Sequence, residues 1–150
     1  TRVLATAGTF AGFSVITLPS LFLIERARYR FLTLTGLTAS ICFFATVIIL
    51  IWGVDAFDQG LFWKIFGTFG VASFSVNHIL LMLIPQPVRL YVRMSQRITV
   101  LVIAIVATLI LLALWTGEFY GVRVFASLGV LDALGTIAIP ILVRISQPRK

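Results

Sequence analysis

The chain has 150 residues, of which 60% are hydrophobic and only 11% charged, with a net charge of +7 and a mean hydropathy of +1.10. A soluble domain carries roughly 25% charged residues, so this composition excludes a water-soluble globule and makes lipid the main solvent. The 12 Lys and Arg against 5 Asp and Glu sit in short breaks between apolar blocks. With no recognisable nucleic-acid-binding fold around them, they read as topology and contact with anionic lipid heads, not as a nucleic-acid surface.

The first apolar block, about 3–24, begins with "RVLATAG" and contains Pro19. Its basic cluster follows the apolar stretch, the reverse of a secretory signal, and the chain opens on Thr1, which leaves room for residues upstream. "ERARYR" leads into a second block, about 31–53, whose Cys42 is the single cysteine and reads as a buried structural thiol. "VDAFDQGLFWK" leads into a third, about 64–84, holding Asn77 and His78. "PQPVRLYVRMSQR" and "TGEFYG" introduce a fourth, about 98–116, and a fifth, about 123–143, the latter holding Asp132 and Pro140. At 1.5 Å per residue each block covers a hydrocarbon layer of about 30 Å. The expected fold is all-α: a polytopic membrane protein of five transmembrane helices in a single domain over 1–150, with tight hairpin loops and no extramembrane domain.

Cations set the orientation. Arg26, Arg28, Arg30, Arg89, Arg93, Arg97, Arg144, Arg149 and Lys150 fall at one set of helix ends, and only Arg2, Lys64 and Arg123 at the other. The positive-inside rule then puts the C-terminus in the cytoplasm and the N-terminus outside. Asp55, Asp58 and Glu118 fall on the outer side and read as solvated loop charges.

The chain also repeats itself. "RVLATAG" at 2–8 returns as "KIFGTFG" at 64–70 and "RVFASLG" at 123–129, each time opening an odd-numbered block with a proline toward its far end: Pro19, Pro85 and Pro140. The second and fourth blocks end alike, with Trp52 three residues before Asp55 and Trp115 three before Glu118. Two phrases recurring in order indicate a tandemly repeated helical hairpin, about 1–53 and 64–116, with a half repeat over 123–150 that either was once followed by a sixth helix or is the finished design. The copies run in the same direction, as parallel repeats do. On a helix, residues three, four and seven apart share a face. That groups Ala5, Gly8 and Gly12, then Gly67 and Gly70 with Phe74, then Ala126, Gly129 and Ala133. Lipid gives helices no hydrophobic incentive to associate, so small residues that admit close approach are the expected packing positions.

Three polar groups lie within apolar blocks. Asp132 is the one carboxyl well inside a span, a proton or cation site or a hydrogen-bonded acid, with Thr136 one turn on. Asn77 and His78 suit inter-helix hydrogen bonds, and the lone imidazole is also a candidate ligand for haem or a chlorophyll-type pigment. No zinc-type cluster, phosphate loop or nucleophile–base pair occurs in the sequence, so an enzyme is not expected and no metal ligands are assigned. The expected partners are membrane lipids and other membrane subunits. The expected function is that of a structural or accessory subunit packing beside a larger membrane complex. The alternative is a subunit of an oligomeric small-solute or ion transporter or channel, with Asp132 as its intramembrane site.

Overall fold

The computed structural model describes residues 1–26, 29–53, 59–86, 89–118 and 121–146, with Gln59, Val122 and Ser146 described by backbone alone. Every regular element among them is an α-helix: α1 (Arg2–Leu23), α2 (Arg30–Trp52), α3 (Gln59–Leu83), α4 (Leu90–Thr116) and α5 (Val122–Ser146). All five are long and apolar enough to cross a membrane.

Two starts differ from the hydropathy blocks. Helix α3 begins at Gln59 instead of 64, and α4 at Leu90 instead of 98. Hydropathy marks where charges begin, whereas a helix continues as long as its backbone bonds are satisfied. Arg93 and Arg97 are therefore exposed residues in the first two turns of α4, not loop residues. The connection before α4 is correspondingly shorter than the sequence suggests. Gln96 reaches back from α4 to accompany this turn, donating its side-chain amide to the carbonyls of Met82 (2.5 Å) and Pro85 (3.2 Å). It thereby satisfies acceptors that the end of α3 leaves open.

The prolines are not equivalent. Pro19 and Pro140 lie inside α1 and α5, where each removes a backbone donor from the ladder. Pro85 lies beyond the end of α3, consistent with the bias against helix in the residue before a proline. At the other end of α4, Gly117 adopts φ 76° and donates its backbone N–H to Ala113 O at 2.9 Å. A side chain is disfavoured in that left-handed conformation, so glycine ends the helix.

The chain divides into two compact units, Thr1–Leu80 and Leu81–Lys150. The first holds α1, α2 and nearly all of α3. At one end, the Arg2 guanidinium lies over the Trp52 ring, 5.8 Å from its centroid, and Trp52 Nε1 donates to Thr6 Oγ1 at 3.2 Å. Further along, Phe10 and Phe13 both pack against Phe44, and Phe43 against Phe66. The second unit holds α4 and α5. They approach closely at Gly135, where a Cβ would meet Thr99 Oγ1 and lie 2.8 Å from Thr99 Cγ2. Buried Ile139 lies one turn further along α5.

Burial has an unusual composition. Among the described residues the buried side chains are nine polar (such as Ser20, Ser40, Ser73, Asn77, Gln96 and Thr99) and nine apolar, Pro19 included. Large apolar residues such as Phe31 (84% exposed), Leu4 and Val3 point outward. A core folded by water would be mostly apolar, so the polar share must be held by hydrogen bonds.

Candidate functional site

Three buried serines of the first unit, Ser20, Ser40 and Ser73, converge on Asn77 of α3, which is 3% exposed. Its Oδ1 accepts from Ser20 Oγ of α1 at 2.6 Å. Its Nδ2 donates to Ser40 Oγ of α2 at 2.9 Å and to the Ser73 carbonyl at 2.8 Å, with the Gly36 carbonyl further off at 3.5 Å. Ser40 Oγ donates to Gly36 O at 2.8 Å and lies 2.8 Å from Ser73 Oγ. One amide thus ties three helices together, and the hydrogen bonds close around it.

Gly36 makes this geometry possible. A Cβ there would sit 2.9 Å from Ser20 Oγ, 3.0 Å from Val76 Cγ1 and 3.2 Å from Leu80 Cδ1, so the serine would have to shift and both apolar neighbours give by a few tenths of an ångström. One turn before Gly36, Thr33 is completely buried, and its Oγ1 is the one buried side-chain oxygen without a hydrogen-bond partner among the described residues. Such a group costs about 1–3 kcal/mol.

Beside the network lies a cavity of about 220 Å³, lined by α1, α2 and α3. Phe13, Phe43, Phe44, Ile16 and Val47 form apolar walls; Ser40 and Ser73 supply polar floor, and Thr9 and Gly12 line it from α1. His78 is half-buried one residue beyond Asn77 and is not among the residues that line this space.

The remaining residues singled out from the sequence fall in several environments. Ala5, Gly8, Gly12, Ala126, Gly129 and Ala133 are exposed, and a Cβ added at Gly8, Gly12 or Gly129 would meet nothing within 4 Å among the described residues. Gly67 and Gly70 are half-buried, and a Cβ at Gly70 would lie 3.1 Å from the Phe43 ring. Close helix approach within the chain also occurs at Gly36 and Gly135, which lie outside the repeated phrase. Asp132 is half-buried in α5. It accepts from Thr136 Oγ1 at 3.5 Å and lies one turn before Gly135, on the side of α5 that meets α4. Asp55 and Asp58, with Arg28, Arg149 and Lys150, lie outside the described residues.

Ser20, Ser40, Ser73 and Gly36 had no motif to mark them. The available signal was their chemistry: small hydroxyl or glycine positions within apolar helices, the types that pack and bond between helices in lipid. No group of three His, Cys, Asp or Glu that could hold a metal occurs among the described residues. Compared with protein-family models, with curated proteins and with solved structures, the chain matches none.

Proposed function

We propose that this chain is an integral membrane protein that acts as a structural or accessory subunit, packing beside a larger membrane complex. The observation that carries the reading is the uncovered small-residue face. Gly8 and Gly129 open space at positions where, among the described residues, no neighbour within the same unit approaches a would-be Cβ within 4 Å, yet glycine costs a helix about 1 kcal/mol relative to alanine. Glycine on a lipid-facing surface gains nothing, whereas glycine against another helix admits close backbone contact. The burial pattern supports the membrane part of the reading, because polar contacts inside and large apolar side chains outside suit a lipid solvent.

In this reading the helices form the repeated hairpins described above, the N-terminus lies outside, and the C-terminus is cytoplasmic. Lipids and other membrane subunits are the partners, and the chain itself performs no catalysis. The test is Gly129→Leu. The substituted chain should still insert and fold, because its own helices leave that position open, and should no longer co-purify with the complex. Retention of Gly129→Leu at full stoichiometry would remove the support for docking through this face.

A second reading rests on Asp132, a half-buried carboxyl accepting from Thr136. In an oligomer it would serve as an ion or proton site. Flux through proteoliposomes that is abolished by Asp132→Asn, with assembly intact, would favour this reading over the first.

A further inference from the structure

We propose that the cavity between α1, α2 and α3 is a binding site for a small apolar molecule carrying a hydroxyl group, of which a phenol is the simplest form. The proposal rests on the membrane setting of the accessory-subunit reading, and because its entrance at Gly12 belongs to the small-residue face of α1 that a docked subunit would cover, it is tested on the chain alone. It also rests on the size of the space, on its walls, and on where the protons of its lining hydroxyls point.

The cavity measures about 220 Å³, somewhat more than the ~150 Å³ that admits benzene in a protein interior. It has room for one ring and a substituent. Phe13, Phe43 and Phe44, with Ile16 and Val47, supply an apolar wall of the kind such sites use. Gly12 lines the space while remaining exposed, and a Cβ there meets nothing within 4 Å. A ligand dissolved among lipid tails can therefore enter past α1.

The polar lining selects the ligand's functional group. Thr9 Oγ1 donates to Ala5 O at 2.8 Å, and Ser40 Oγ donates to Gly36 O at 2.8 Å. Ser40 has one proton, so the 2.8 Å contact between Ser40 and Ser73 is donated by Ser73. Ser40 Oγ also receives Asn77 Nδ2, which fills its second acceptor position. All three lining hydroxyls thus have their protons committed, while Ser73 Oγ and Thr9 Oγ1 retain acceptor capacity. A ligand with an O–H finds a partner. A ligand that offers only a methyl, ether or carbonyl finds none.

The test uses the full chain in detergent micelles with two probes of nearly equal shape, 4-fluorophenol and 4-fluorotoluene, followed by fluorine NMR. The expected result is a saturable shift for 4-fluorophenol, with affinity about tenfold above that of 4-fluorotoluene, the factor one net hydrogen bond supplies. Gly12→Leu, which places a side chain in the entrance, should abolish saturation for both while leaving the helical signal unchanged. Ser73→Ala keeps the site open and should remove most of the advantage of the phenol without altering 4-fluorotoluene binding. Equal affinities for the two probes in the unsubstituted chain overturn the hydroxyl assignment. A shift that never saturates, or one that survives Gly12→Leu unchanged, overturns the site.

Discussion

The Ser20–Asn77 hydrogen bond offers the sharpest test of how the first unit is held together. At 2.6 Å between two buried side chains, it links α1 to α3 directly. Replacing Asn77 with alanine removes this bond and the donations to Ser40 and to the Ser73 carbonyl. Inter-helix hydrogen bonds in membrane proteins average about 0.6 kcal/mol and reach about 1.7 kcal/mol. The bonds to Ser20 and Ser40 cross between helices and at the average amount to about 1.2 kcal/mol, the bond to the Ser73 carbonyl lies within α3, and the vacated amide volume adds a cavity cost. That cavity cost makes the single substitution hard to interpret, so the informative quantity is the coupling in a double-mutant cycle of Ser20→Ala and Asn77→Ala. The void is present on both sides of the cycle and cancels to first order. Ser20 can fall back on a carbonyl one turn earlier in its own helix once Asn77 is gone, which caps the coupling well below the vacuum strength of a hydrogen bond. The expected coupling is about 0.6–1.7 kcal/mol, read from reversible unfolding in mixed micelles. A coupling indistinguishable from zero, with both single variants destabilised, would mean that Asn77 acts through volume alone and would refute the network argument.

Glycine substitutions separate the close contacts inside the chain from the open faces. Gly36→Ala and Gly135→Ala each force a methyl into an occupied space; overpacking of about 1–3 kcal/mol outweighs the roughly 1 kcal/mol gain in helix propensity, so both should lower unfolding stability. Gly8→Ala meets no neighbour and should leave the isolated chain as stable as before or up to about 1 kcal/mol more stable in the same unfolding assay. Thr33→Val removes the unpartnered buried hydroxyl at nearly constant shape and should raise stability by about 1 kcal/mol; a loss of that size would show that the hydroxyl has a partner in solution. For orientation, with Cys42→Ala as background, Glu118→Cys should react with a membrane-impermeant maleimide added outside intact cells, and Glu25→Cys only after permeabilisation. The reverse pattern would invert the topology.

The five helices were legible because lipid-length apolar blocks separated by charges leave few alternatives. Their ends were less so. Arg93 and Arg97 look like loop residues by hydropathy, yet the backbone stays helical through them, and Gln96 completes the turn before them through carbonyls that no sequence pattern announces. The same limit applies to the site. Asn77 stood out as an amide in an apolar helix, but Ser20, Ser40 and Gly36 lie 57, 37 and 41 positions away in sequence, and only packing brings them together. Helix periodicity places residues on a face without saying which face meets a neighbour. On α5 the phrase glycine Gly129 is open while Gly135, six residues later, touches Thr99, a distinction that depends on the position of α4.

The most direct test of the accessory-subunit proposal is the mass and composition of the particle that contains this chain when it is extracted gently from its native membrane. The proposal predicts co-migration with unrelated membrane subunits at fixed stoichiometry, lost when Gly129 is replaced by leucine. A particle made of this chain alone, in one or several copies, would contradict it and make Asp132 the next residue to change.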